Sequence, residues 1–214
     1  MLFPKTDTLT KAARELEYVA LLMATKSIPS YRRELRAAAR ALWNGTWTDF
    51  DFYADMLAII RRNFTQAFHE GAATCGITPG ELSREEAQRL EQEIVNESQY
   101  IDGLADFIVL HSKANGGKLA TVFRRVEVWV NAWTRIKTLA QTLVCGDLKY
   151  IWTLHPAEHC RSCKKLSGKV KRGSYWAKHV QPKNFDLLAC RMGCKCTLDV
   201  TDLPLTRGPL PYLP

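Results

Sequence analysis

TLVCGDLKYIWT, residues 142–153, is where the chain changes its period. Up to Gly146 apolar residues recur every three or four positions. Beyond it Leu148, Tyr150, Trp152 and Leu154 alternate with Lys149, Ile151 and Thr153. The first spacing draws an apolar stripe along a helix, and the second draws an apolar face along a strand. The chain therefore passes here from a helical part to a part made of strands and turns.

Upstream lies the longest pattern in the chain. A helix is predicted from near Lys118, carrying Leu119, Val122, Phe123, Val126, Val130, Trp133, Ile136, Ala140 and Leu143, and stopping at Cys145-Gly146. Before it, Ser83 and Glu86 form a capping box. They open a helix bearing Leu90, Ile94, Ile101, Leu104 and Ile108, which Asn115-Gly116-Gly117 closes. A third helix is predicted from Thr48 or Asp49 toward Gly71, with Phe52, Met56, Ile59, Ile60, Phe64 and Ala67 as its stripe. Tyr31, Leu35, Ala38 and Leu42 make another, ended by Asn44-Gly45 and capped by Ser30. The first stripe is Leu9, Ala13, Leu16, Ala20 and Met23, stopped by Pro29.

Downstream the pieces are short and turn-rich. Thr197-Leu198-Asp199-Val200 reads as a closing strand, and four of the eleven residues of PLTRGPLPYLP (204–214) are proline. Such a tail continues no helix and joins no central strand. The expected fold is α+β: a mainly helical body of about five helices, a small C-terminal β-rich module and an extended Pro-rich tail. The expected divisions are a helical region over 1–117, the long helix with a Cys-rich module over 118–201, and the tail over 202–214.

At 46% hydrophobic and 24% charged, the composition is that of a globular protein rather than a disordered one. The longest apolar runs, such as 56–60 and 107–110, fall far short of a membrane span, so no membrane contact is expected. No apolar stretch follows a basic start in MLFPKTDTLTKAARELEY, so a reducing compartment is expected rather than a secretory route. In such a compartment clustered cysteines are more often metal ligands than disulfides.

The clustering is pronounced. Five of the seven cysteines lie between residues 160 and 196, as Cys160-x2-Cys163, 26 residues, then Cys190-x3-Cys194-x-Cys196. A Cys-x2-Cys turn brings two sulfurs close together, which is half of a tetrahedral zinc site. A second pair completes it, so a structural Zn²⁺ held by four of Cys160, Cys163, Cys190, Cys194 and Cys196 is expected. A segment of this length buries little core and gains much from a metal staple. Metal-free thiols or disulfides are the alternative. Cys194 and Cys196 would point to opposite faces of a strand, so both serve one ion only if the backbone bends. Which of Cys190, Cys194 and Cys196 is spare is left open by the spacing. His155, His159 and His179 are further possible ligands.

The charge is as uneven as the thiols. Residues 1–150 hold 19 Lys/Arg against 18 Asp/Glu, and residues 151–214 hold 11 against 4. A Zn²⁺ with four thiolates subtracts about two charges, and the tail end stays basic. Lys164, Lys165, Lys169, Lys171, Arg172, Lys178 and Lys195 are candidate contacts to nucleic-acid phosphates. No enzyme is expected. There is no P-loop, no paired carboxylate and no orienting third group beside His159-Cys160. Trp129, Trp133, Trp152 and Trp176 read as core and docking residues rather than a base-stacking platform.

The order of these features resembles the phage Mu protein F-like head morphogenesis family, the minor head proteins of tailed bacteriophages. The resemblance is carried by Arg125-Val126-Glu127 with Asn131 on the long helix, and by Tyr150-Ile151-Trp152 on the strand. Cys160, Cys163, Leu166, Gly168 and Val170 follow, then Cys194-Lys195-Cys196-Thr197-Leu198, so that it covers about residues 118–201. One departure is that Cys190-Arg191-Met192-Gly193 stands where many relatives have His-Pro-Asn; Cys190 is a candidate to replace that histidine as a ligand, one residue further away, and the choice among Cys190, Cys194 and Cys196 stays open. The resemblance implies a non-enzymatic minor capsid protein in the host cytoplasm during assembly and then in the virion head. Its implied partners are the portal, the major capsid protein and packaged double-stranded DNA. Arg125, Glu127, Asn131 and Trp152 are expected to dock the Cys-rich module to the long helix, with Glu127 buried against it. A cytosolic zinc-dependent nucleic-acid-binding regulator is the alternative from another class.

Overall fold

The computed structural model describes residues 28–184 and 186–213. The stripe from Leu9 to Met23 lies outside them. The helical body consists of α1 (Ile28–Asn44), α2 (Asp49–Ala73), α3 (Arg84–Ser98), α4 (Ile101–Leu110) and the long α5 (Leu119–Val144). Pro29 falls in the first turn of α1 instead of ahead of it. A missing N–H costs nothing there, because the first turn has no carbonyl to bond. Ser30 Oγ accepts from Arg33 Nη2 at 3.4 Å rather than capping the helix. Thr48 and Asp51 cap α2 reciprocally, as Ser83 and Glu86 cap α3.

The stripe through Leu90 and Ile108 was expected on one helix, and the structure breaks it between α3 and α4. Beyond Ile94 the next core-facing positions are Glu97 and Ser98. Ser98 Oγ turns back to the Val95 carbonyl at 2.8 Å, and the Tyr100 amide bonds the Glu97 carbonyl. Glu97 is needed sideways: with Glu93 it brackets the largely buried Arg135 guanidinium of α5, accepting from Nη2 at 2.9 Å. Burial pushes the Glu97 carboxyl upward, and Arg135 partly offsets this.

Helix α5 is the axis of the molecule. One side meets α1 and α2 around Tyr31, Phe52, Ile60, Phe64, Val126, Trp133 and Ile136, all buried. Gly71 of α2 marks the closest approach, since a Cβ there would sit 2.3 Å from the Lys137 carbonyl oxygen. The other end of α5 carries the C-terminal module.

That module is an antiparallel sheet of order β2-β1-β3, formed by β1 (Lys149–Thr153), β2 (Val170–Arg172) and β3 (Thr197–Val200). The short helices α6 (Arg161–Leu166) and α7 (Gly173–His179) flank β2. Trp152 and Trp176 are fully buried at its centre, with ring centroids 5.6 Å apart. Three contacts dock it to α5. Tyr150 donates its hydroxyl to the Gln141 carbonyl (3.2 Å), Gln181 donates to Thr142 Oγ1 (3.0 Å), and Gly173 fits where a Cβ would lie 2.6 Å from the Thr142 carbonyl. Cys75, after α2, and Cys145, after α5, form a disulfide across this junction.

The tail is extended and strapped down. Val170 and Thr206 exchange hydrogen bonds along the outer edge of β2. Lysine ammonium groups hold its carbonyls: Lys149 those of Asp202 and Leu203, Lys171 those of Thr206 and Gly208, Lys165 that of Tyr212. A sheet edge that would otherwise be open to pairing is thereby covered.

Candidate metal centre

The end of β1 leads into Cys160, which caps α6: its Sγ accepts from the Cys163 amide at 3.5 Å. The one-turn helix is what points both sulfurs to the same side. Buried Ser162, between them, accepts the Ala189 amide at 3.1 Å and so brings the second thiol segment alongside the first. There a 3₁₀ turn, Arg191–Gly193, places Cys190 at one end and Cys194 at the other.

All five cysteines meet. Cys160, Cys163 and Cys190 form one mutually close triad, and Cys163, Cys194 and Cys196 form another, with all ligand atoms within 4.8 Å inside each. Cys163 Sγ lies 3.6 Å from Cys190 Sγ and 3.5 Å from Cys194 Sγ. A disulfide needs about 2.05 Å. The sulfur–sulfur edge of a tetrahedron with metal–sulfur bonds of about 2.3 Å is about 3.8 Å. The sulfurs are too far apart for disulfides and close to the edge of such a tetrahedron, so these cysteines could hold a metal. The difficulty foreseen for Cys194 and Cys196 is removed because both precede β3, where the Cys196 amide turns back onto the Cys194 sulfur.

The thiols share their protons unequally. A hydrogen bond from Cys163 lowers Cys194 to about 5, against the opposing effect of burial. The same bond, with burial, pushes Cys163 far upward. At Cys160 burial is outweighed by bonds from the Cys163 amide and from Cys190, bringing it to about 7. Burial raises Cys190 to about 12 and also raises Cys196. Metal binding replaces these shared protons. Lys183 donates to the Cys194 carbonyl at 3.0 Å and brings a positive charge to this thiolate-bearing site.

The histidines separate. His159 Nδ1 faces Cys196 Sγ at 3.6 Å, whereas His155 bonds Thr197 and His179 stacks on Tyr175. The buried Trp152 indole N–H neighbours the Cys196 sulfur and favours its thiolate, against the larger opposing effect of burial.

The docking residues fare unevenly. Trp152 is in the module core, and Arg125 lines a cavity of about 590 Å³ between α3, α5 and the Cys190–Gly193 turn, with its guanidinium 5.8 Å from the Phe107 ring centroid. Asn131 is half-buried on α5. The expectation for Glu127 is overturned. Its carboxylate accepts from Arg32 at 3.0 Å and Arg36 at 2.7 Å, so it docks α1 to α5, away from the thiols. The i, i+2 offset from Arg125 sends the two side chains to different faces.

Among the basic candidates, Lys164, Lys178 and Lys195 are exposed and Lys169 is half-buried. Lys171 is a correction, because it is buried and its ammonium is spent on the tail carbonyls. Lys165 also holds the tail, and Arg172 donates to the Asp147 carbonyl at 2.7 Å. Trp129, Trp133, Trp152 and Trp176 are all buried, as expected of core residues.

No known family, curated protein or solved structure matches this chain. Among the described residues, no helix is long and apolar enough to cross a membrane.

Proposed function

We propose that the chain is a non-enzymatic minor head protein of a tailed bacteriophage, acting in head assembly beside the portal and the packaged DNA. The observation that carries this reading is the order of parts along one chain. A long helix with Arg125, Glu127 and Asn131 leads into a Trp-bearing strand, and Cys160-x2-Cys163 and Cys194-x-Cys196 then converge behind that strand. Zinc is the metal that best suits an all-thiol donor set, three of its five sulfurs on buried residues, with near-tetrahedral spacing. Its role is structural: the clasp holds the loops between the strands where the module's own core is small.

In this reading the helical body supplies packing surface for neighbouring head proteins, and the exposed Lys164, Lys178 and Lys195 meet phosphates. Such contact is independent of sequence and weakens with salt, by about 0.9 in log–log slope for each phosphate neutralised. Two measurements test it. Tagged chain expressed with the portal and major capsid proteins of its own phage should cosediment with procapsids; exclusion from them overturns the assembly role. Binding to duplex DNA should fall as salt rises, and a joint Lys164→Glu, Lys178→Glu, Lys195→Glu variant should flatten that slope. An unchanged slope removes the DNA contact.

A further inference from the structure

Lys171 is a buried cation with no anion beside it. Its ammonium donates to the Thr206 and Gly208 carbonyls and lies 5.2 Å over the Tyr175 ring, and among the described residues no carboxylate pairs with it. Carbonyl oxygens satisfy its N–H groups but leave its charge standing. Buried charges are ordinarily paired. The surface beside this one is a groove of about 500 Å³.

The tail forms one wall of the groove, with Leu205 and Thr206. The end of β2 and α7 form the other, with Lys171, Arg172, Ser174, Tyr175, Lys178 and His179. Both walls are fixed: Thr206 and Val170 exchange hydrogen bonds, and the Gly173 amide at the head of α7 donates to the Leu148 carbonyl at 2.8 Å. Three Lys/Arg line the groove and no Asp or Glu does. The carboxylate that reaches Arg172, Asp147 Oδ1 at 3.7 Å, is fully exposed and outside the lining. Such a pair offsets little charge.

The groove also holds unspent donors. Among the described residues the Lys178 ammonium and the Ser174 hydroxyl bond nothing. Arg172 spends only Nη1, on the Asp147 carbonyl at 2.7 Å and the carboxylate beside it. The His179 ring is held in place, stacked on Tyr175 with centroids 4.0 Å apart and Nδ1 on the Tyr175 carbonyl at 2.8 Å. A guanidinium, an ammonium and a hydroxyl on a fixed concave surface are the groups that recognise a phosphate. Arg172, Ser174, Lys178 and His179 are exposed, so the groove is open to water. A small free anion there stays hydrated and screened, whereas a phosphate belonging to a polyanion adds the release of condensed counterions.

We propose that this groove seats a phosphate of a nucleic-acid backbone, with Arg172, Ser174 and Lys178 as its contacts and the buried charge of Lys171 behind them. The proposal rests on the reading of the basic end as a DNA contact. It gathers that contact at one groove and makes the strapped tail part of the site.

The test is duplex DNA binding by the full chain over a salt series, comparing two double variants that each remove two positive charges. Arg172→Gln with Lys178→Gln strips the groove, and Lys164→Gln with Lys195→Gln strips exposed charge elsewhere on the module. The groove pair is expected to weaken binding about tenfold and to lower the log–log slope by about 0.9, with a clearly smaller loss in the other pair. Equal losses overturn the groove and leave a diffuse DNA contact standing. No DNA binding by the unaltered chain overturns the contact and the groove together, while cosedimentation with procapsids judges the assembly role separately. Because Arg172 also holds the Asp147 carbonyl, the unaltered chain gives an independent reading through its Ser174 amide and His179 ring resonances. Shifts on adding duplex, and far smaller ones with inorganic phosphate at the same phosphate concentration, support the proposal. Equal shifts with inorganic phosphate assign the groove to a free anion and overturn the backbone as its ligand. Resonances that move with neither overturn the site.

Discussion

The helical body and the C-terminal module hold themselves together by different means. In the body, long helices bury continuous apolar stripes, and Phe52, Ile60, Phe64, Phe68 and Trp133 alone fill much of a core that extends over five helices. In the module the core is short on hydrocarbon: Trp152, Trp176, Leu166, Val180 and Leu198 are joined by Cys163, Cys194 and Cys196. The same sulfur atoms serve as packing and as candidate ligands. Burial scales with segment length, so a module of three short strands lacks the area that a body of five helices has. In the proposed reading, one chain joins a region stabilised by area to a region stabilised by coordination, through the rigid element α5 that belongs to both.

The largest effect expected from breaking this contrast is at Cys163, the sulfur common to both triads. Structural zinc contributes on the order of 10 kcal/mol to small metal-stapled domains. Cys163→Ser should abolish metal retention and the near-ultraviolet signal of Trp152 and Trp176, while most far-ultraviolet helical signal survives. Loss of both signals together would mean that the two regions are not separately held. Next is Arg135→Met in the body, which leaves Glu93 and Glu97 facing each other in a buried site. Removing one partner from such a network costs about 3–5 kcal/mol, read as a lower denaturation midpoint with metal content unchanged. Lys171→Met should cost about 2 kcal/mol through lost charged hydrogen bonds to the Thr206 and Gly208 carbonyls. Its signature is faster proteolysis after residue 202. The smallest effect is at Glu127, whose ion pairs with Arg32 and Arg36 are each more than a third exposed. Glu127→Gln should cost about 1 kcal/mol or less, with metal retention untouched.

The two regions also differed in how far the sequence revealed them. Helices α2 and α5 were legible because each repeats its apolar period over many turns and carries an end signal, Thr48 or Asp49 at the start of one and Cys145-Gly146 at the end of the other. The α3–α4 break was not, because it depends on Glu97 being drawn toward Arg135, 38 residues away. In the module β1 and β3 announced themselves by alternation, whereas β2 has three residues, too few for any period. The five thiols were legible from spacing alone. The place of His159 was not, since it depends on a contact with the His155 carbonyl and on a fold that brings Cys196 to its other nitrogen. The Cys75–Cys145 disulfide, 70 residues apart, has no local signature at all. Lys171 looked like any basic surface residue, and its burial follows from where the tail runs.

Amide hydrogen exchange, measured with and without a strong zinc chelator under reductant, tests the division most directly. The account predicts that chelation releases protection across residues 149–200 while α1, α2 and α5 keep theirs up to their C-terminal turns. Protection of β1 and α6 that is indifferent to the chelator, in a chain shown to have carried metal beforehand, would contradict the claim that coordination holds the module.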